Sequence, residues 1–143
     1  MQKLMQRIQK IMRMLKPFSP VVLRIGIASV FLWFGFDQFI HTTDWIGYVP
    51  QSVSNLLHLS PITLVYMNGL FEITFGLALF LGFYTRFVAF LLALHLIDIT
   101  FIVGYSAIGV RDFGLCIATI AIWLNGRDFL SLDRYMSVSA DKS

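Results

Sequence analysis

The sequence predicts an all-α integral membrane protein, a four-helix bundle preceded by an amphipathic helix at the membrane interface. Three observations carry that reading. Of 143 residues, 57% are apolar and 13% charged, with a mean hydropathy of +0.75, whereas a soluble domain has roughly 45–50% apolar and 25% charged residues. Four segments approach the roughly 20 apolar residues that a hydrocarbon core demands. Five Lys or Arg precede the first of those segments. The composition excludes disorder and argues against a free-standing soluble globule. A single cysteine, Cys116, excludes a disulfide framework and a within-chain dithiol pair. The isoelectric point near 9.2 points to membrane lipids rather than nucleic acid as the partner. The basic residues gather at one end and beside apolar segments, not among exposed aromatics.

Residues 1–18 form the first unit. Lys3, Arg7, Lys10, Arg13 and Lys16 stand among Leu4, Ile8, Ile11 and Leu15, and the latter four recur at helical spacing on one face. This is the pattern of a helix lying on the cytoplasmic leaflet or, more plainly, of a positive-inside topology signal. It lacks the apolar core and small-residue ending of a cleaved signal peptide. Pro17 and Pro20 should then break the chain.

Residues 19–126 form the bundle, with spans at about 21–40, 62–81, 87–104 and 107–124 by the length that hydrocarbon demands. The loop over 41–60 holds His41, Asp44, Trp45, Tyr48, Pro50 and His58 and no Lys or Arg. Its Trp and Tyr suit the headgroup level, and 51–57 reads as a short interfacial helix. Gly82 ends the second span, and the connection Phe83-Tyr84-Thr85-Arg86 is so short that spans two and three form an antiparallel hairpin. Asn125-Gly126 ends the fourth span. Arg127, Asp128, Asp133, Arg134 and Lys142 give 127–143 the character of a soluble cytoplasmic tail. Ten of the eleven Lys and Arg fall on one side, leaving Arg111 on the other. Both termini are therefore expected in the cytoplasm, with the chain multi-pass in the inner cell membrane.

Charged side chains at membrane depth cost about 2.5–3.5 kcal/mol each on insertion scales, so they face the bundle interior and mark a site. Counting rise per residue puts Glu72 and His95 at mid-depth. Asn68, Asp98, Arg111 and Asp112 follow roughly 5 Å outward, and Asp37 about 10 Å outward. Within the spans, Asn68 and Glu72 are spaced to share a helical face, as are His95 with Asp98 and Trp33 with Asp37. Asp112, Cys116, Thr119 and Trp123 make a similar stripe. Together they predict a polar pocket in the outer half above a dry lower half. Arg111, the one cation near these acids, should form a forked pair with Asp98 or Glu72. Glu72, His95 and Asp98 are the candidate catalytic residues. Arg111, Asp112, Asn68, Trp33 and Asp37 are the candidate ligand contacts. No metal site is expected, since the spans hold one histidine and no multi-ligand spacing. A haem would need a second axial ligand, and Gly69, Gly76 and Ala78 suit close helix packing.

The residues Leu23-Arg24-Ile25-Gly26 with Phe31 and Gly35, the run from Gly69 to Phe90, Arg111-Asp112, and Leu132-Asp133 follow a known pattern. Over roughly residues 20–135 the chain resembles the DoxX family of small four-helix membrane proteins. The resemblance implies a bundle often linked to quinone oxidoreductases, with some relatives serving thiosulfate:quinone oxidoreductase. It also implies that Arg24, Glu72, Arg86, Arg111 and Asp112 occupy the family's polar signature, Arg24 and Arg86 as structural ion pairs. Where relatives often carry Lys after the first-span glycine, this chain has Asp37-Gln38.

Two functional readings stand level. In one, the protein is the membrane subunit of a quinone-linked oxidoreductase. Arg111 or His95 then hydrogen-bonds a quinone carbonyl and Glu72 or Asp98 supplies protons. The chain has no flavin or dinucleotide fingerprint and no haem pair, so electrons would come from a larger redox complex. In the other, it is a scaffold, assembly factor or accessory subunit whose polar network fixes helix register. A small-solute carrier or channel ranks third, because one four-helix bundle leaves little room for a pore unless it forms a homo-oligomer.

Overall fold

The computed structural model describes residues 1–140, all of whose regular structure is helical. Helix α1 (Gln2–Leu15) passes through a 3-10 turn at Lys16–Phe18 into α2 (Ser19–Ile40). The expected break at Pro17 and Pro20 does not occur, and the backbone stays right-handed helical from Leu15 to Ser19. Both prolines fall in the first turn of their helical segments, where the missing N–H has no partner to lose and the fixed φ suits a helix. No residue of α1 is buried.

A loop of short helices follows: α3 (Thr42–Trp45), a 3-10 turn at Ile46–Tyr48, and α4 (Gln51–Leu57). Three long helices complete the bundle, namely α5 (Pro61–Leu81), α6 (Thr85–Val103) and α7 (Ala107–Asn125), before α8 (Leu132–Ala140). The side chains of Ser60 and Ser106 accept hydrogen bonds from the Thr63 and Gly109 amides, capping α5 and α7. Gly82 adopts φ +70° and lets the Phe83 amide reach the Ala78 carbonyl at 2.9 Å, a left-handed stop for α5. Four helical segments are long and apolar enough to cross a membrane.

The long helices associate as two pairs, α2 along α5 and α6 along α7. The first pair crosses at glycines: a Cβ on Gly35 would stand 2.7 Å from Ile73 Cγ1 and 2.9 Å from the Gly69 carbonyl oxygen. Such small-residue contacts substitute for the hydrophobic driving force that lipid removes. Gly35→Ala should gain up to about 1 kcal/mol of helix propensity. It should lose more, because overpacking costs about 1–3 kcal/mol and the obstructing atom is backbone. The expected result is a lower unfolding temperature in detergent. An unchanged or raised one would mean the two backbones do not approach this closely.

Apolar packing concentrates in the half nearer the termini, around Phe31, Leu79, Ala89, Leu92 and Ile122. Large apolar side chains such as Ile40, Leu70, Phe113 and Leu124 point outward, while Arg24, Gln38, Glu72, Asp112 and Thr119 are buried. That is the distribution of a protein whose exterior solvent is lipid.

At the terminal end, the first part of the segment expected as a soluble tail over 127–143 packs against the bundle. Asp128 and Ser131 are buried. Arg24 Nε donates to Asp128 Oδ2 at 2.6 Å, and its Nη1 donates to the Leu79 carbonyl at 2.9 Å and to that of Phe80. The Asp133 carboxylate accepts the Tyr84 and Thr85 amides, each at 2.7 Å, capping α6 from a distant part of the chain. Arg86 departs from its expected role: it is exposed and makes no ion pair among the described residues, lying instead against the turn at Gly126. Lys142 lies outside the described residues.

Candidate functional site

Glu72 is the centre of a hydrogen-bond network that joins three helices. Its carboxylate, 4% exposed, accepts Gln38 Nε2 on Oε2 at 2.9 Å and Asn68 Nδ2 on Oε1 at 3.2 Å. His95 Nε2, from α6, stands 3.2 Å from Oε1 and donates to it when protonated at that nitrogen. Asn68 Nδ2 also donates to Gln38 Oε1 at 2.8 Å, so the two amides and the carboxylate form a closed triangle. The ring of His95 is held against Phe71, with centroids 4.8 Å apart. This geometry depends on Gly69, whose absent Cβ would meet Gln38 Cβ at 3.2 Å. The glycine admits the glutamine to the carboxylate.

Gln38 is the functional residue that spacing arguments passed over. Its signal is the run of buried positions Arg24, Ala28, Phe31, Gly35 and Gln38, an inner stripe at steps of four and three. The same stripe overturns the expectation for Trp33. Two residues from both Phe31 and Gly35, Trp33 is turned about 200° around the helix and is 70% exposed, so it contributes nothing to the site.

Above Glu72, toward the loop end, the helix pairs separate around a cavity of about 650 Å³. Its apolar wall includes Phe34, Ile99, Ile102 and Val103, and its polar lining includes Asn68, Glu72, Asp98, Arg111 and Asp112. Trp45 and Tyr48 of the loop also line it. Asp37 fastens that loop, because its carboxylate faces His41 Nδ1 at 2.7 Å and accepts Trp45 Nε1 at 2.9 Å. A smaller apolar cavity of about 40 Å³ shares Phe34, Glu72 and Arg111 with it and reaches Ile27 and Leu115.

Arg111 does not pair with Glu72 or Asp98. Its Nε donates to Asp112 Oδ1 at 2.8 Å, and its guanidinium lies 4.7 Å from the centre of the Phe34 ring. Successive helical residues point in different directions, yet the long arginine side chain bends back to its neighbour while stacking on an aromatic face. Arg111 lines the cavity, and its terminal guanidinium nitrogens make no hydrogen bond among the described residues. Asp98 lines the cavity, is exposed, and makes no hydrogen bond or ion pair among the described residues. The structure thus gathers Asn68, Glu72, His95, Asp37, Arg111 and Asp112 around one cavity and its floor, with Asp98 on its wall. It leaves Trp33 and Arg86 outside.

A polar floor under an apolar-walled chamber at membrane depth suits an amphiphile with a hydrogen-bonding head. Comparison with known families finds a match to the DoxX family model over residues 19–105, which is 87 of 143 residues. The match spans α2 to α6 and ends before α7, so Arg111, Asp112, Asp128 and Asp133 lie beyond it. No curated protein and no solved structure gave a match.

Proposed function

Because the chain belongs to the DoxX family, we propose that it serves as the membrane subunit of a quinone-linked oxidoreductase, with the quinone head in the cavity above Glu72. Four apolar helices and that membership make it a multi-pass membrane protein. The observation that carries the reading is the cavity itself, about 650 Å³ with apolar walls and a carboxylate at its inner end. Ligand pockets of about 300–1,000 Å³ with few convergent polar groups are the usual form of such sites.

The residues fit a quinone head. With His95 Nε2 engaged by Glu72, Arg111 is the donor for a carbonyl oxygen. Glu72 and Asp98 are the groups placed to exchange protons with bound ligand. Quinone reduction needs two electrons and two protons per molecule. In this reading the electrons come from a partner protein, as the sequence holds no flavin or dinucleotide fingerprint and no haem pair. With ten of eleven Lys and Arg at the terminal end or in the tail, both termini sit in the cytoplasm of an inner-membrane protein and the cavity opens outward. The exposed basic helix α1 engages anionic lipid at that surface.

The alternative reading is a non-catalytic accessory subunit, and one observation favours it. Glu72 is already satisfied by three protein donors, as a carboxylate fixing helix register would be. Gentle extraction followed by mass spectrometry of bound lipids, quinones and proteins separates the two. A stoichiometric quinone is expected. A stable large partner without quinone would instead establish the accessory role.

A further inference from the structure

We propose that the terminal end of the bundle holds one anionic phospholipid in a fixed place, its phosphate in a notch between Arg86 and Arg127 and an acyl chain in the groove between α5 and α6. The observations behind it are separate from those behind the quinone reading.

The notch, about 640 Å³, lies where the turn before α6 meets the end of α7, and Tyr84, Arg86, Asn125, Arg127 and Asp133 line it. Both arginines are exposed and make no hydrogen bond or ion pair among the described residues. Arg24, at the same end of the bundle, is by contrast consumed by Asp128 and the last carbonyls of α5. Asp133 does not compete for the two free arginines, since its carboxylate oxygens accept the Tyr84 and Thr85 amides. Two guanidinium groups and one carboxylate leave the lining one positive charge, which complements the single negative charge of a phosphodiester.

Local backbone shapes the notch. Gly126, at φ +73°, makes room for Arg86: a Cβ there would collide with Arg86 Nε and stand 3.1 Å from Cζ. The guanidinium thus lies against the turn, next to Asn125 and Arg127 in the lining. Tyr84 adopts φ +47°, a region that an L residue occupies only when its surroundings impose it. The bond from its amide to Asp133 is such a constraint.

The notch continues into an apolar space. A groove of about 630 Å³ shares Tyr84 and Phe87 with it and runs on past Thr74, Phe75, Ala78 and Val88. From the end of α5 to Thr74 it descends roughly 10 Å at helical rise, deep enough for the upper part of an acyl chain. Charge at the mouth, a tyrosine at the rim and an apolar channel below follow the order of groups in a phospholipid from head to tail. Basic pockets between helices at a membrane surface recognise anionic head groups by this arrangement. Helix α1 attracts the same lipids but has no cleft to hold one, since none of its residues is buried.

Native mass spectrometry of the full chain in detergent, offered equal amounts of phosphatidylglycerol and phosphatidylcholine with the same acyl chains, reads the preference. One phosphatidylglycerol per chain should be retained, at least about tenfold over phosphatidylcholine. Arg86→Gln with Arg127→Gln should bring the ratio near unity while leaving the helical signal intact, because both side chains are exposed. Lys10→Gln with Arg13→Gln, on α1, should leave the ratio as it is. In the wild-type chain, a phosphatidylglycerol carrying a diazirine in its acyl chain should label the segment over 74–88 on irradiation, a readout that needs no variant. Equal retention of the two lipids, a preference lost with the α1 charges rather than with the notch, release of the lipid by millimolar inorganic phosphate, or labelling confined to other segments would each overturn the inference.

Discussion

Arg24→Met should cost about 3–5 kcal/mol of stability, the usual penalty for removing one partner of a buried ion pair. Arg24 and Asp128 have side chains each only 2% exposed, and the arginine holds the aspartate through Nε at 2.6 Å and Nη2 at 3.3 Å. Its Nη1 caps the last carbonyls of α5, at Phe80 and at Leu79, the latter also accepting the Gly82 amide. Methionine fills the volume and removes all of these donors, leaving a carboxylate buried without its partner. Arg24→Lys should recover little, since a single ammonium cannot reproduce the planar fork. Adding Asp128→Asn to Arg24→Met should restore much of the loss, because the uncompensated charge is the expensive part. Unfolding in detergent, followed by helical circular dichroism, reads each difference. A loss below about 1 kcal/mol for Arg24→Met would place this pair among solvent-screened contacts and deny that it anchors the segment after α7.

That anchoring illustrates which parts of the molecule the sequence makes legible. Span lengths, the tight turn at Gly82 and the inward direction of Glu72 follow from one-dimensional quantities: apolar run length, a glycine stop, and the cost of charge in hydrocarbon. Partner choice does not follow from them. Periodicity assigns a residue to a face of its own helix, but the rotation of neighbouring helices decides what that face meets. Arg111 therefore reads as a partner for Glu72 or Asp98, when its flexible side chain reaches back to Asp112 and onto Phe34. Gln38 reads as an irregularity at a span end until Gly35 and Gly69 bring α2 against α5 and deliver it to Glu72. The segment over 127–135 reads as soluble because Arg127, Asp128, Asp133 and Arg134 are charged. Two of those charges are instead consumed, one by Arg24 and one by the amides that open α6. Trp33 fails for a simpler reason: it shares a face with Asp37, and that face lies off the inner stripe of Phe31, Gly35 and Gln38, so the large side chain meets lipid.

Glu72→Gln should lower quinone-linked electron transfer by about 10²–10⁴-fold, the range that a positioned general acid or base contributes. The substitution conserves volume and side-chain length. It removes the capacity to take up and release a proton, which is the capacity the proposed role requires. It also presents an amide N–H to a site where Gln38, Asn68 and His95 all donate. One donor then faces a donor unless Gln38 turns its own amide, which its contact with Asn68 opposes. A stability loss of about 1–3 kcal/mol is expected from that mismatch, small enough for the variant to assemble in the membrane. Two measurements must therefore be made together: assembled protein, by detergent-resistant helical signal, and reduction of added decyl-benzoquinone by membranes in which the variant replaces the wild-type chain. Normal assembly with collapsed turnover assigns Glu72 to proton transfer. Undiminished turnover would remove that role and leave the network of Glu72 with Gln38, Asn68 and His95 as a device for helix register, since a carboxylate whose charge can be deleted without consequence is holding helices rather than protons.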